Sequence, residues 1–249
     1  MATAAYEQTG YDKQVRGRMP RLLEGWTVER LVEVGADSVK LLLYYPTLRY
    51  AEINYTKHEF VKRVGAECAK ADVPFSLELL SCGEGRDDAS AEFAAVKPEV
   101  VARSMAEFSM PEYRVDVLTV GAPVSMAFVE GSPSASYEIL YSREEAIDYY
   151  RRAAEEARVP FIYLSPGVSN ETFQYALELA AEAGVNFSDM LCGRPTWKDG
   201  VAVFVGKGLT APEDWLHDEG ARNIKNVNQH LRSAQPWFSM NQESRLEKR

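Results

Sequence analysis

SVKLLLYY, residues 38–45, is an almost unbroken apolar run that carries one lysine, Lys40, inside it. PFSLELL, residues 74–80, repeats the arrangement with a carboxylate, Glu78. RVDVLTV, residues 114–120, is interrupted by Asp116 and Thr119. Continuous apolar runs of this length suit strands buried on both faces of a parallel sheet. Side chains alternate between faces along a strand, so Lys40, Leu42 and Tyr44 share one side, and Ser76, Glu78 and Leu80 share another. Phe75, Leu77 and Leu79 form the opposite, wholly apolar set, suited to packing under helices.

Further strands are expected at 161–164 and 190–192, and the stretches between runs read as helices. Residues 57–71 place Phe60, Val61, Val64 and Cys68 at helical spacing. Ser142 followed by Glu145 is a capping box that opens a helix over 143–157. Residues 171–183 end at Gly184, a helix stop signal, and Pro98 suits the first turn of KPEVVARSMAEF. Strand–helix alternation of this kind predicts an α/β fold of the TIM-barrel type. On such a sheet, sites are built at the strand C-terminal ends. The loops at 81–90 and 130–137 fall there.

With 249 residues, 46% hydrophobic, the chain can bury one large core, and residues 1–249 are expected to form a single domain. The net charge of −9, without a basic cluster, argues against nucleic-acid binding. The longest apolar runs, such as 41–45 and 201–205, are far short of the ~20 residues a membrane span needs. Cys68, Cys82 and Cys192 lack metal-ligand spacing and read as reduced thiols, pointing to the cytoplasm. His58, His217 and His230 stand apart from them, so neither a metal nor an organic cofactor is expected.

Charges in buried strands need a reason. Lys40 and Glu78 fit a structural ion pair, since neither is tolerable alone, and they equally fit a lysine and a carboxylate working on a bound substrate. A second constellation joins YLSPGVSN (163–170) to LCGRPTW (191–197). Ser165, Gly167, Gly193 and Arg194 lie in small-residue turns at consecutive strand ends, where helix N-termini and a guanidinium favour phosphate. Ordinary turn chemistry would also supply those glycines and serines.

GADSVKLLLYY, RVGAEC, VPFSLELL, AAVKPEVV, YSREEA, YLSPGVS and LCGRPTW together resemble the tagatose 1,6-bisphosphate aldolase family, class I aldolases on a (β/α)8 barrel. The resemblance implies reversible cleavage of a ketose 1,6-bisphosphate of the tagatose or fructose type to dihydroxyacetone phosphate and glyceraldehyde 3-phosphate. It places the proton-shuttling glutamate on Glu78, a neighbouring lysine on Lys40, and phosphate contacts on Ser165, Gly167, Gly193 and Arg194. Two departures follow. The Schiff-base lysine position is Thr119, with Gly121 where the family carries an acid. The family's first two β/α units have no counterpart, which leaves about six units and an incomplete barrel. Open strand edges recruit partners, so self-association is expected beside binding of a phosphorylated ketose or triose phosphate. The alternative is a non-catalytic sugar-phosphate-binding or regulatory protein derived from the aldolase.

Overall fold

The computed structural model describes residues 2–6, 17–48, 51–83, 87–208, 211–231 and 234–237. Six strands lie in one parallel sheet in strict chain order. They are β1 (Thr3–Ala5), β2 (Ser38–Tyr45), β3 (Phe75–Ser81), β4 (Val117–Val120), β5 (Phe161–Leu164) and β6 (Asp189–Leu191). Sequential order without reversal is the topology of a β/α barrel, and these strands form a curled part of one.

The intervening helices are α1 (Val28–Glu33), α2 (Ala51–Lys70), α3 (Ala91–Ala94), α4 (Lys97–Phe108), α5 (Arg143–Glu155) and α6 (Asn170–Glu182). After β6 come α7 (Arg194–Trp197), α8 (Gly200–Lys207), α9 (Ala211–Trp215) and α10 (Ala221–Asn228). The Ser142 capping box is formed in both directions and opens α5. Gly184 follows α6 with a left-handed φ of 69°, where glycine pays no Cβ penalty. Helix α2 begins six residues before the apolar spacing shows it, at Ala51.

Strand bounds differ in small ways from those read in the sequence. β4 begins at Val117 rather than Val115; just ahead of it the Asp116 N–H donates to the Phe75 carbonyl at 2.9 Å, and its carboxylate accepts the Phe75 N–H at 2.9 Å. β6 is shifted back by one residue, so Cys192 lies beyond it. β1, TAA, has no strand signal of its own and is held by its pairing with β2.

The core lies between the sheet and its helices. Val39, Leu41, Leu43, Phe75, Leu77, Leu118 and Phe161 project into it with Val61, Val64, Met105, Phe108, Tyr150 and Phe173 from the helices. One close approach fixes how α2 sits. A Cβ on Gly65 would run into the Tyr113 carbonyl oxygen, a contact no backbone can absorb without moving. Glycine inside a helix ordinarily costs about 1 kcal/mol relative to alanine. Here the sign reverses: Gly65→Ala is expected to destabilise by roughly 1–3 kcal/mol through overpacking, measured by urea unfolding at constant m-value.

Candidate active site

The opposite, concave face of the sheet carries the polar positions. In register, Lys40 stands beside Ser76, and Glu78 stands between Leu42 and Thr119. The Lys40 amine reaches the Glu78 carboxylate at 2.7 Å. Glu78 is 8% exposed and Thr119 2%. The Thr119 hydroxyl lies 3.4 Å from that of Ser76, so it shares this face with the ion pair. Lys40, Glu78 and Thr119 are thus brought together from three consecutive strands. A Cβ on Gly121 would meet nothing within 4 Å, so open space stands where the family pattern has an acidic side chain.

An amine in contact with a carboxylate is stabilised as ammonium, which has no lone pair for attack on a carbonyl. The pair can still do chemistry. The carboxylate can take or return a proton, and the ammonium can stabilise negative charge developing on a nearby oxygen.

The second constellation also assembles. Gly167 has a left-handed φ of 86°, and its missing side chain leaves room for the Arg194 guanidinium, whose Nη2 would stand 3.2 Å from a Cβ there. The β5 and β6 loops are therefore in contact through Arg194. Gly193 caps α7, with its carbonyl taken by the Thr196 N–H at 3.0 Å and hydroxyl at 2.7 Å. The Ser165 backbone N–H is committed to the Leu191 carbonyl at 3.0 Å, and its hydroxyl is in hydrogen-bond contact with the Cys192 thiol. Ser169 spends its hydroxyl on capping α6 through the Thr172 N–H. Ser165, Gly167, Gly193 and Arg194 thus lie together at the ends of β5 and β6.

Three cationic side chains near the strand C-terminal ends escape sequence reading. Lys57, fully buried on α2, donates to the Tyr44 carbonyl at 2.6 Å and to that of Gly17. Arg18 pairs with Asp88 at 3.0 Å and stacks over the Tyr44 ring at 4.7 Å, while Asp88 also accepts the Gly83 N–H at 2.8 Å. Lys97, at the start of α4, donates to the Val124 carbonyl at 3.2 Å, just past β4. Burial pushes its amine down to about 8, although the residue keeps some surface.

Among the described residues no three metal-capable side chains cluster, and no helix is long and apolar enough to cross a membrane. Cys68, Cys82 and Cys192 are not joined in disulfides. Burial raises the Cys192 thiol, opposed by a hydrogen bond with Ser165.

A parallel β/α sheet in barrel order, with charged groups on its concave face and an arginine in the turn after its last strand, places these side chains where β/α barrels build their sites. Comparison with known proteins narrows this. The DeoC/LacD family aldolase pattern matches residues 2–199, and the chain belongs to that family. It is 50% identical over 237 residues to tagatose 1,6-diphosphate aldolase 2 of Enterococcus faecalis, covering 94% of this chain and 71% of that one. It is 44% identical to tagatose 1,6-diphosphate aldolase of Staphylococcus aureus, covering 94% and 72%. Among solved structures, a Schiff-base-forming fructose-1,6-bisphosphate aldolase superposes with a TM-score of 0.52 at 18% identity, over 78% of this chain and 64% of that one. A fructose-bisphosphate aldolase of Slackia heliotrinireducens gives 0.54 at 12% identity, over 91% and 65%. At those identities the structural likeness speaks for the fold alone.

Two outcomes are expected. Lys40→Met and Glu78→Gln should each destabilise, and the double variant should lose less than the two combined. The coupling in a denaturation cycle is about 1–3 kcal/mol, since each single change strands a largely buried charge or polar group. The pH dependence of Lys97 has a definite sign. Between its folded value near 8 and the ordinary lysine value of ~10.4, the unfolded chain holds a proton that the folded chain has released. The stability of the wild type relative to Lys97→Met should therefore improve as pH rises through that window, read from melts at several pH values.

Proposed function

We propose that the chain binds a ketose 1,6-bisphosphate of the tagatose or fructose type, or the triose phosphates derived from it, without forming a Schiff base. Arg194, with the Ser165 hydroxyl and the backbone of Gly167 and Gly193, takes one phosphate. The sugar carbons extend over the concave face toward Glu78 and Lys40. Glu78 exchanges a proton with a substrate hydroxyl, and Lys40 neutralises charge on oxygen. Family membership and the resemblance to tagatose 1,6-diphosphate aldolases support the substrate class.

The single observation that carries this reading is Thr119. The resemblance implies that it stands where the family's lysine would attack; it is buried beside Glu78, and a hydroxyl cannot become an iminium. Full aldol cleavage is the second reading. It requires Lys40 to act as the nucleophile, and what favours it is the placement of Lys40 on the same face as Thr119. What opposes it is the 2.7 Å contact with Glu78.

Tagatose 1,6-bisphosphate should raise the melting temperature, with stabilisation approaching about 2.7 kcal/mol at a hundred times Kd. Arg194→Met should abolish that rise. Borohydride with dihydroxyacetone phosphate should trap no adduct on the native chain, whereas Thr119→Lys should yield a trapped adduct at residue 119 by peptide mass mapping. An adduct on Lys40 of the native chain, with turnover in a coupled assay, would establish the second reading instead. Absence of any thermal shift would defeat both.

A further inference from the structure

Arg18 stands over the strand ends of β2 and β3, and the chain is bent to put it there. Gly17 and Arg18 both have left-handed φ, 83° and 43°. Glycine adopts that conformation freely. For arginine it is a strain that surrounding contacts must hold, and such strain gathers at ligand sites. Two contacts hold it. The buried Lys57 amine donates to the Gly17 carbonyl and ties it to the Tyr44 carbonyl near the end of β2. The Arg18 guanidinium lies over the Tyr44 ring, 4.7 Å from its centre. By alternation Tyr44 shares the concave face with Lys40 and Leu42, and it pairs with Leu80, two positions beyond the Leu42–Glu78 pair. Arg18 is therefore on the ion pair's own side of the sheet.

Its hydrogen bonding is incomplete. Nη2 reaches the Asp88 carboxylate at 3.0 Å, and Asp88 is held in turn by the Gly83 N–H at 2.8 Å. Nη1 is enclosed and has no hydrogen-bond partner among the described residues. An enclosed donor without an acceptor is costly, and a guanidinium fork is built to give two parallel hydrogen bonds to an oxyanion. Asp88 takes one of them. Its side chain is 36% exposed against 13% for Arg18, so the carboxylate has solvent to turn into when another anion takes its place.

We propose that Arg18 anchors a second phosphate, at the end of the ligand opposite the one that Arg194 takes. The inference rests on the reading of the concave face as a ketose bisphosphate site. β2 and β5 are three strand spacings apart, about 14 Å along the sheet, and curling brings their ends closer. Arginines reaching in from both sides leave a gap that a six-carbon chain with a phosphate at each end bridges. A triose phosphate, with one phosphate, engages Arg194 alone. Arg18 therefore sets the preference for bisphosphates over monophosphates, and Asp88 occupies its fork when no ligand does.

The test is calorimetric titration of the full chain with tagatose 1,6-bisphosphate and with dihydroxyacetone phosphate, in the native form, Arg18→Met and Asp88→Asn. Arg18→Met is expected to weaken the bisphosphate roughly ten- to a hundredfold and to leave dihydroxyacetone phosphate unchanged, which also shows that the variant is folded. Asp88→Asn keeps an acceptor for the Gly83 N–H and removes the competing charge, so it is expected to tighten the bisphosphate alone. Equal weakening of both ligands by Arg18→Met, no weakening of either, or a weaker bisphosphate in Asp88→Asn would make the ion pair a structural tie and overturn the inference. If Arg18→Met does not fold, the sign of the Asp88→Asn effect decides. A native chain that binds neither ligand defeats the reading of the concave face itself, and the inference with it.

Discussion

The contact between Lys40 and Glu78 constrains everything on the concave face. Neither group is tolerable there by itself, because a charge moved out of water without a partner costs several kcal/mol. Their meeting requires β2 and β3 to pair in one register, with Leu42 beside Glu78. A slip of one residue in β2 would turn Lys40 into the core, away from Glu78, and Leu41 onto the open face. The apolar alternation and the ion pair therefore specify the same register, one through the helix side of the sheet and one through the open side.

That agreement explains why the chemistry was legible before the fold was known. A lysine and a glutamate inside otherwise apolar strands violate the pattern, and period-two alternation already assigns them to the face opposite Phe75 and Leu77. Helix limits set by local chemistry were legible too, as at Ser142 and Gly184. What depends on distant partners was not. Thr3–Ala5 is a strand because β2 offers it a ladder, and nothing in TAA announces this. Lys57 reads as a polar position on an amphipathic helix, and only the carbonyls of Gly17 and Tyr44 make it a buried donor. Lys97 likewise looks like a solvated first-turn residue until the Val124 carbonyl is placed beside it. The turn at Ser165 was read correctly as a strand end, but its N–H had already been claimed by Leu191.

On the proposed reading, Thr119 separates two tasks that aldolase chemistry combines. Holding a phosphorylated sugar depends on turns at β5 and β6, whereas making a covalent adduct depends on one amine on β4. On that reading the turns are kept and the amine is changed, which makes binding and covalent catalysis separable on this scaffold.

Arg194 rests on Gly167 and so ties the last strand's turn to the preceding one. An anion seated between them would add rigidity to β6, a strand of three residues with one ladder. Thermodynamic reciprocity then links ligand and strand: whatever orders β6 must tighten the grip on phosphate by the same factor that phosphate lends to that order.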